Sequence, residues 1–149
     1  MRFEHAHVSI AVCQPCRAVW MTGQYPHHNG ALGFNTIDEG VRTLPEHLRD
    51  HGYFVGLFGK NTHVVPSRAA VWHVNVPTAE LGQGRRGDLY HTHVAAAISA
   101  ADDAELPFFL MVNIHDPHRP FAITDANRAA NQRARGKATA PRINLCHAE

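Results

Sequence analysis

Two apolar runs separated by an alanine-rich stretch constrain the fold of this chain more than any other feature of its sequence. Residues 53–58 (Tyr-Phe-Val-Gly-Leu-Phe) read as a buried strand that ends in Gly59-Lys60. Residues 88–101 carry apolar side chains at helical spacing, and Leu106-Pro107 then breaks the pattern before a second strand over residues 108–114. Upstream, Thr43-Leu44-Pro45-Glu46 has the form of a helix start: a threonine cap, proline in the first turn and glutamate three residues after the cap. That helix should run to about residue 50 and stop at Gly52. Residues 7–12 are short and β-prone, and predict a further strand leading into Cys13. Strands alternating with helices specify an α/β architecture with a mostly parallel sheet flanked by helices. In such sheets the functional site forms just past the carboxyl ends of the strands. Cys13, Lys60, His115 and His118 all fall at such positions.

The 149 residues suffice for one domain with a real core, and 44% hydrophobic with 18% charged residues is ordinary for a globular chain. The formal net charge of +1 gives no reason to expect a nucleic-acid partner. It hides an asymmetry, since residues 122–149 carry five Arg/Lys against two acids and the preceding residues nine against eleven. Almost no large apolar residue lies in that tail, which reads as a basic, poorly ordered extension. No apolar run approaches the ~20 residues of a membrane span, and the N-terminus lacks the basic-then-apolar layout of a signal peptide, so no membrane partner is expected. Three cysteines make a disulfide framework improbable. Residues 61–85 read as irregular, with Trp72 as a buried anchor.

The chemistry concentrates in Cys13-Gln14-Pro15-Cys16-Arg17, followed by Ala18 to Met21 and then Thr22-Gly23. Helix-compatible residues between Pro15 and Gly23 put Cys13 at or just before a helix N-terminus, where free N–H groups favour an anion. Two readings share that geometry. As Cys-x-x-Cys, the motif suits a thioredoxin-like thiol-disulfide oxidoreductase using Cys13 and Cys16. As Cys-x-Pro-x-Arg, it suits a nucleophile acting on a sulfate or phosphate.

Four blocks in register favour the second reading. The first continues through Thr22-Gly23-Gln24-Tyr25-Pro26-His27-His28-Asn29-Gly30. The second is Thr43-Leu44-Pro45-Glu46-His47-Leu48 with His51-Gly52-Tyr53, and the third is Gly59-Lys60-Asn61-Thr62-His63. The fourth is Pro107-Phe108-Phe109-Leu110 leading to His115-Asp116-Pro117-His118-Arg119-Pro120-Phe121. In this order they resemble the formylglycine-dependent sulfatases, and the Asp-Pro-His-Arg form is most similar to the heparan N-sulfatase (N-sulfoglucosamine sulfohydrolase) branch and its bacterial relatives.

That resemblance implies an alkaline-phosphatase-like core, incomplete, with residues 1–121 forming part of a catalytic domain. It implies that Cys13 is converted to formylglycine by a formylglycine-generating enzyme and, in that form, contributes to a Ca2+ site. Arg17 would steady the formylglycine hydrate. Lys60, His63 and His118 would bind sulfate oxygens or the leaving group, and His115 would contact substrate, a sulfated small molecule or glycan. Three departures stand out. Two residues separate Lys60 from His63 where the family usually has one, and Cys16 replaces a small residue. The paired aspartates that precede the signature in the family are absent, since Glu4 is the only acid before Cys13. The resemblance therefore implies a chain inactive by itself.

Overall fold

The computed structural model describes residues 4–64 and 68–118. Its elements, in chain order, are α1 (Cys13–Thr22), α2 (Pro26–Asn29), α3 (Leu44–Asp50), β1 (Phe54–Phe58), α4 (Asn61–Val64), β2 (Val74–Val76), α5 (Gly87–Asp103) and β3 (Phe108–Val112), with single 3-10 turns at Ala69–Val71 and Thr78–Leu81. Among the described residues the three strands form one sheet in the order β2-β1-β3. Both pairings are parallel, with Gly56 opposite Val74 on one side and opposite Leu110 on the other.

Alternation along β1 explains how one short strand organises two cores. Val55 and Leu57 point into a cluster with Ala18, Met21, Ile37, Val64 and Trp72, and Phe109 and Met111 of β3 pack on the same side. Phe54 and Phe58 point the other way, to Val76, Leu81, Tyr90, Ala97 and Ala101, joined by Leu110. A period of two along a strand sends neighbours to opposite faces, so a strand apolar at nearly every position must be covered on both. Here α5 covers one face and the α1–α3 region the other. Gly56 fits this crowding, because a Cβ there would stand 2.7 Å from Leu110 Cδ2.

Most elements follow the sequence expectations, with two corrections. Residues 7–12 form no strand. Val8 and Val12 are exposed, and no described strand lies beside them to complete a ladder. β-propensity is realised only through cross-strand pairing, so a β-prone run without a neighbour stays irregular. The second correction is the stretch read as irregular, residues 61–85, which holds both α4 and the strand β2. At three residues β2 is too short for alternation to reveal, and it exists because β1 offers an edge. Trp72 is buried as expected, at 6% exposure.

The helix start at Thr43 has its full reciprocal form. The Thr43 hydroxyl and the Glu46 backbone N–H pair at the helix N-terminus, while Glu46 Oε2 accepts from Thr43 N at 2.6 Å and from the Thr43 hydroxyl at 2.7 Å. Arg68 Nη1 adds a third donor to the same oxygen at 2.7 Å and also reaches the carbonyl of Val41. Partial burial pushes the Glu46 carboxyl up, but the Thr43 hydrogen bonds and the Arg68 guanidinium outweigh it, and the group ends below its ordinary range. A carboxyl depressed in the folded state stabilises fully above its unfolded value, about 4.3, and loses that contribution as pH falls through the lower folded value. Glu46→Gln should therefore cost about 1 kcal/mol at neutral pH and progressively less in acid. Urea melts of both forms from pH 7 to pH 3 check this; a pH-independent difference would contradict it.

The chain divides into two units, residues 1–115 and 116–149. All the helices and strands above belong to the first. Of the second, Asp116, Pro117 and His118 are described, as an exposed turn with a cis Asp116–Pro117 bond. The boundary expected at residue 121 and the basic tail lie outside the described residues.

Candidate active site

α1 begins at Cys13 itself, at the helix N-terminus where the sequence places it. Its first internal bond runs from Cys16 N to Val12 O at 3.0 Å. The cap residue, Val12, has no side-chain acceptor to offer, and no acidic residue lies in the first turn. Cys13 and Gln14 therefore present N–H groups without an acceptor inside the helix, and Pro15 has none to present. The positive end of the helix is left to whatever anion approaches Cys13. Cys13 and Cys16 are both free thiols and half-buried. The last turn ends as predicted, with Gly23 in the left-handed conformation at φ 66° and its N–H returning to Val19 O.

The carboxyl end of β1 delivers the next group. Gly59 (φ 70°) and Lys60 (φ 56°) are consecutive left-handed residues. The first is easy for glycine, whereas the second carries the cost of a Cβ in that region, of order 1–2 kcal/mol. Lys60 N is held there by Thr78 Oγ1 at 3.0 Å. The sharp turn opens directly into α4, whose single turn absorbs the extra residue between Lys60 and His63. His63 Nδ1 stands 3.4 Å from Cys13 Sγ. Phe34, an exposed aromatic at 69%, meets the His63 ring edge-on with centroids 6.0 Å apart. Gln14 ties the Phe34 loop to α1 through a 2.9 Å bond to Asn35 O.

The carboxyl end of β3 holds Arg17. Four residues along α1 from Cys13, Arg17 shares its face of the helix and donates through Nη1 to Asn113 Oδ1. Burial draws the guanidinium pKa down, and its Coulombic interaction with Cys13 and Cys16 opposes that shift. Arginine stays protonated under such a perturbation, so Arg17 is a cation held against the two cysteines. Asn113 was not singled out from sequence. Its only signal there is an amide directly after five apolar residues, at a strand end where a side-chain donor and acceptor must be satisfied.

Cys13, Arg17 and His63 are thus brought together, with Lys60 at the turn that positions His63. The His115 backbone is anchored by its N–H, which donates to Gly84 O at 2.9 Å. His118 belongs to the second unit. Among the described residues, no group of three or more His, Cys, Asp or Glu side chains is arranged to hold a metal ion. Asp102 and Asp103 lie exposed at the end of α5. Calcium asks for about six to eight oxygen ligands, and the donors in the described region do not fit it.

The sulfatase family profile matches residues 1–145. The chain belongs to the sulfatase family. It is the family that the four sequence blocks resemble. Human N-sulphoglucosamine sulphohydrolase is 35% identical over 127 residues, covering 78% of this chain and 24% of its own length. Mouse iduronate 2-sulfatase is 24% identical over 159 residues, covering 80% of this chain and 29% of its own. The fold is likewise that of the solved structure of BT4656 in complex with its substrate D-glucosamine-2-N,6-O-disulfate, at a TM-score of 0.61 and 23% identity, over 79% of this chain and 27% of that one. The chain spans about a quarter of the length of the relatives it matches. The architecture is the partial, parallel α/β core of that family.

Proposed function

We propose that this chain contributes the nucleophile-bearing part of a sulfatase site that hydrolyses a sulfate ester or sulfamate on a sugar, with formylglycine made from Cys13 as the reacting group. The observation that carries the reading is Cys13 at the uncapped N-terminus of α1 with His63 Nδ1 at 3.4 Å, in a chain matched to the family over nearly all its length. The hydrated aldehyde has two hydroxyls. One attacks sulfur and displaces the sugar oxygen or nitrogen, which leaves with a proton; the second then gives up its own proton as the C–O bond to sulfate breaks and the aldehyde re-forms. This is covalent catalysis with its release step built into the nucleophile.

In this proposal the cations act where charge builds on oxygen. Arg17 steadies the hydrate, and the free N–H groups of α1 support the same charge. Lys60 and His63 bind sulfate oxygens or the leaving group, and His115 contacts substrate. Phe34, exposed and edge-on to His63, offers an apolar ring to the face of a sugar. The relatives named for sulfated glucosamine and iduronate support a sulfated glycan as the substrate class. Formylglycine also implies a formylglycine-generating enzyme as partner. The Ca2+ expected with the family would need carboxylates that the described residues do not gather.

Intact mass separates the chemistries directly. Coexpressed with a formylglycine-generating enzyme, the chain should appear ~18 Da below its sequence mass, the change from thiol to aldehyde at Cys13. A loss of ~2 Da would instead mark a Cys13–Cys16 disulfide, and an unchanged mass would count against conversion.

A further inference from the structure

We infer that Asn113 is a positioning residue: an uncharged tether that fixes the Arg17 guanidinium beside Cys13 without neutralising it. The inference deepens the sulfatase reading, on which it relies for what the cation is there to do. Asn113 is the first residue past β3 and is 7% exposed. Each of its polar groups has a partner. Its backbone N–H donates to Phe58 O at 2.9 Å, and its carbonyl accepts from the Tyr90 hydroxyl at 2.5 Å. Burial pushes the Tyr90 phenol up, so it remains a donor. Nδ2 donates to Phe58 O at 3.3 Å and to Gly59 O at 3.1 Å. Two carbonyls facing one end of the amide fix which end is nitrogen, so Oδ1 must face Arg17.

The approach is close enough to require glycine opposite. A Cβ on Gly59 would stand 2.7 Å from Asn113 O. The amide is therefore clamped between the ends of β1 and β3, with α5 bracing it through Tyr90, and its one remaining acceptor is spent on Arg17. A carboxylate at this position would bind the guanidinium more strongly and cancel its charge. An amide holds the geometry and leaves a full positive charge for an anion at Cys13, in a half-buried site where Coulomb interactions are stronger than in water.

The test uses the unconverted thiol and needs no turnover. Cys13 of the full chain is alkylated with iodoacetate, an anion, and with iodoacetamide, its neutral counterpart, and followed by peptide mass mapping. The ratio of the two rates cancels changes in exposure and reports the local charge. Arg17→Ala should lower the ratio about fivefold, Asn113→Ala should lower it to nearly the same value, and the double variant should fall no further, because both changes remove one interaction. Asn113→Ala with the wild-type ratio would overturn the inference, and so would Arg17→Ala without effect. Should Asn113→Ala fail to fold, the near-isosteric Asn113→Asp should also lower the ratio by neutralising Arg17, and an unchanged ratio there would be equally fatal. Failure of the mass shift described above leaves this ratio untouched, so the two readings fail separately.

Discussion

Cys13→Ala should remove essentially all sulfate release, a fall of at least ~10³-fold, in a catalytically competent sulfatase carrying these residues. The size of the effect follows from covalent catalysis: without a side chain that can become an aldehyde, no group at the head of α1 can form and release the sulfated intermediate. His63, Arg17 and the helix N-terminus would still bind sulfate, so affinity for inorganic sulfate should survive in the variant while turnover does not. Cys16→Ser, one turn further along α1, should be tolerated within a few-fold, since the family places a small residue there. Release of sulfate by Cys13→Ala at a rate near that of the parent would refute the mechanism. Equal losses from Cys13→Ala and Cys16→Ser would point back to a dithiol.

The largest effect on stability should come from Phe58→Ala. Phe58 is fully buried at the end of the central strand, among Phe54, Leu81 and Tyr90. Truncating a buried phenylalanine costs about 3–5 kcal/mol through lost transfer energy and the cavity left behind. A small domain has roughly 5–15 kcal/mol in total, so the change should remove a large share of it and lower Tm by well over 10 °C. It should also disturb the site, because the Phe58 carbonyl receives both the backbone N–H and the side-chain amide of Asn113. Phe108→Ala provides the contrast. Phe108 opens β3 and is 46% exposed, so its loss should cost far less. Urea melts of the two variants giving equal losses would show that β1 is not the centre of the core.

Part of the site was legible because its chemistry is local in sequence. Cys13 and Arg17 lie four apart on one helix, so a single helical segment places them on one face. The left-handed turn after β1 was signalled by Gly59, and the cap at Thr43 by the spacing to Glu46. Each of these depends on interactions within a few residues, where backbone preference is strong. The strand expected over residues 7–12 shows the opposite case. Its local preference was real, but a strand is a pairwise structure, and the partner was missing among the described residues.

Asn113 was illegible for the same reason that β2 was. Both draw their meaning from contacts far along the chain, Asn113 with Arg17 at a separation of 96 residues and with Gly59 at 54. By itself the sequence determined the parallel α/β class, the helix that presents Cys13, and the family to which the chain belongs, because periodicity, capping and a dense motif are encoded residue by residue. Only the tertiary structure decided which strand is central, that His63 reaches Cys13 despite the extra residue after Lys60, and that an amide at the end of β3 holds Arg17. Those outcomes depend on the stacking of β2, β1 and β3, which brings the ends of distant segments within hydrogen-bonding distance and has no signature in any one of them.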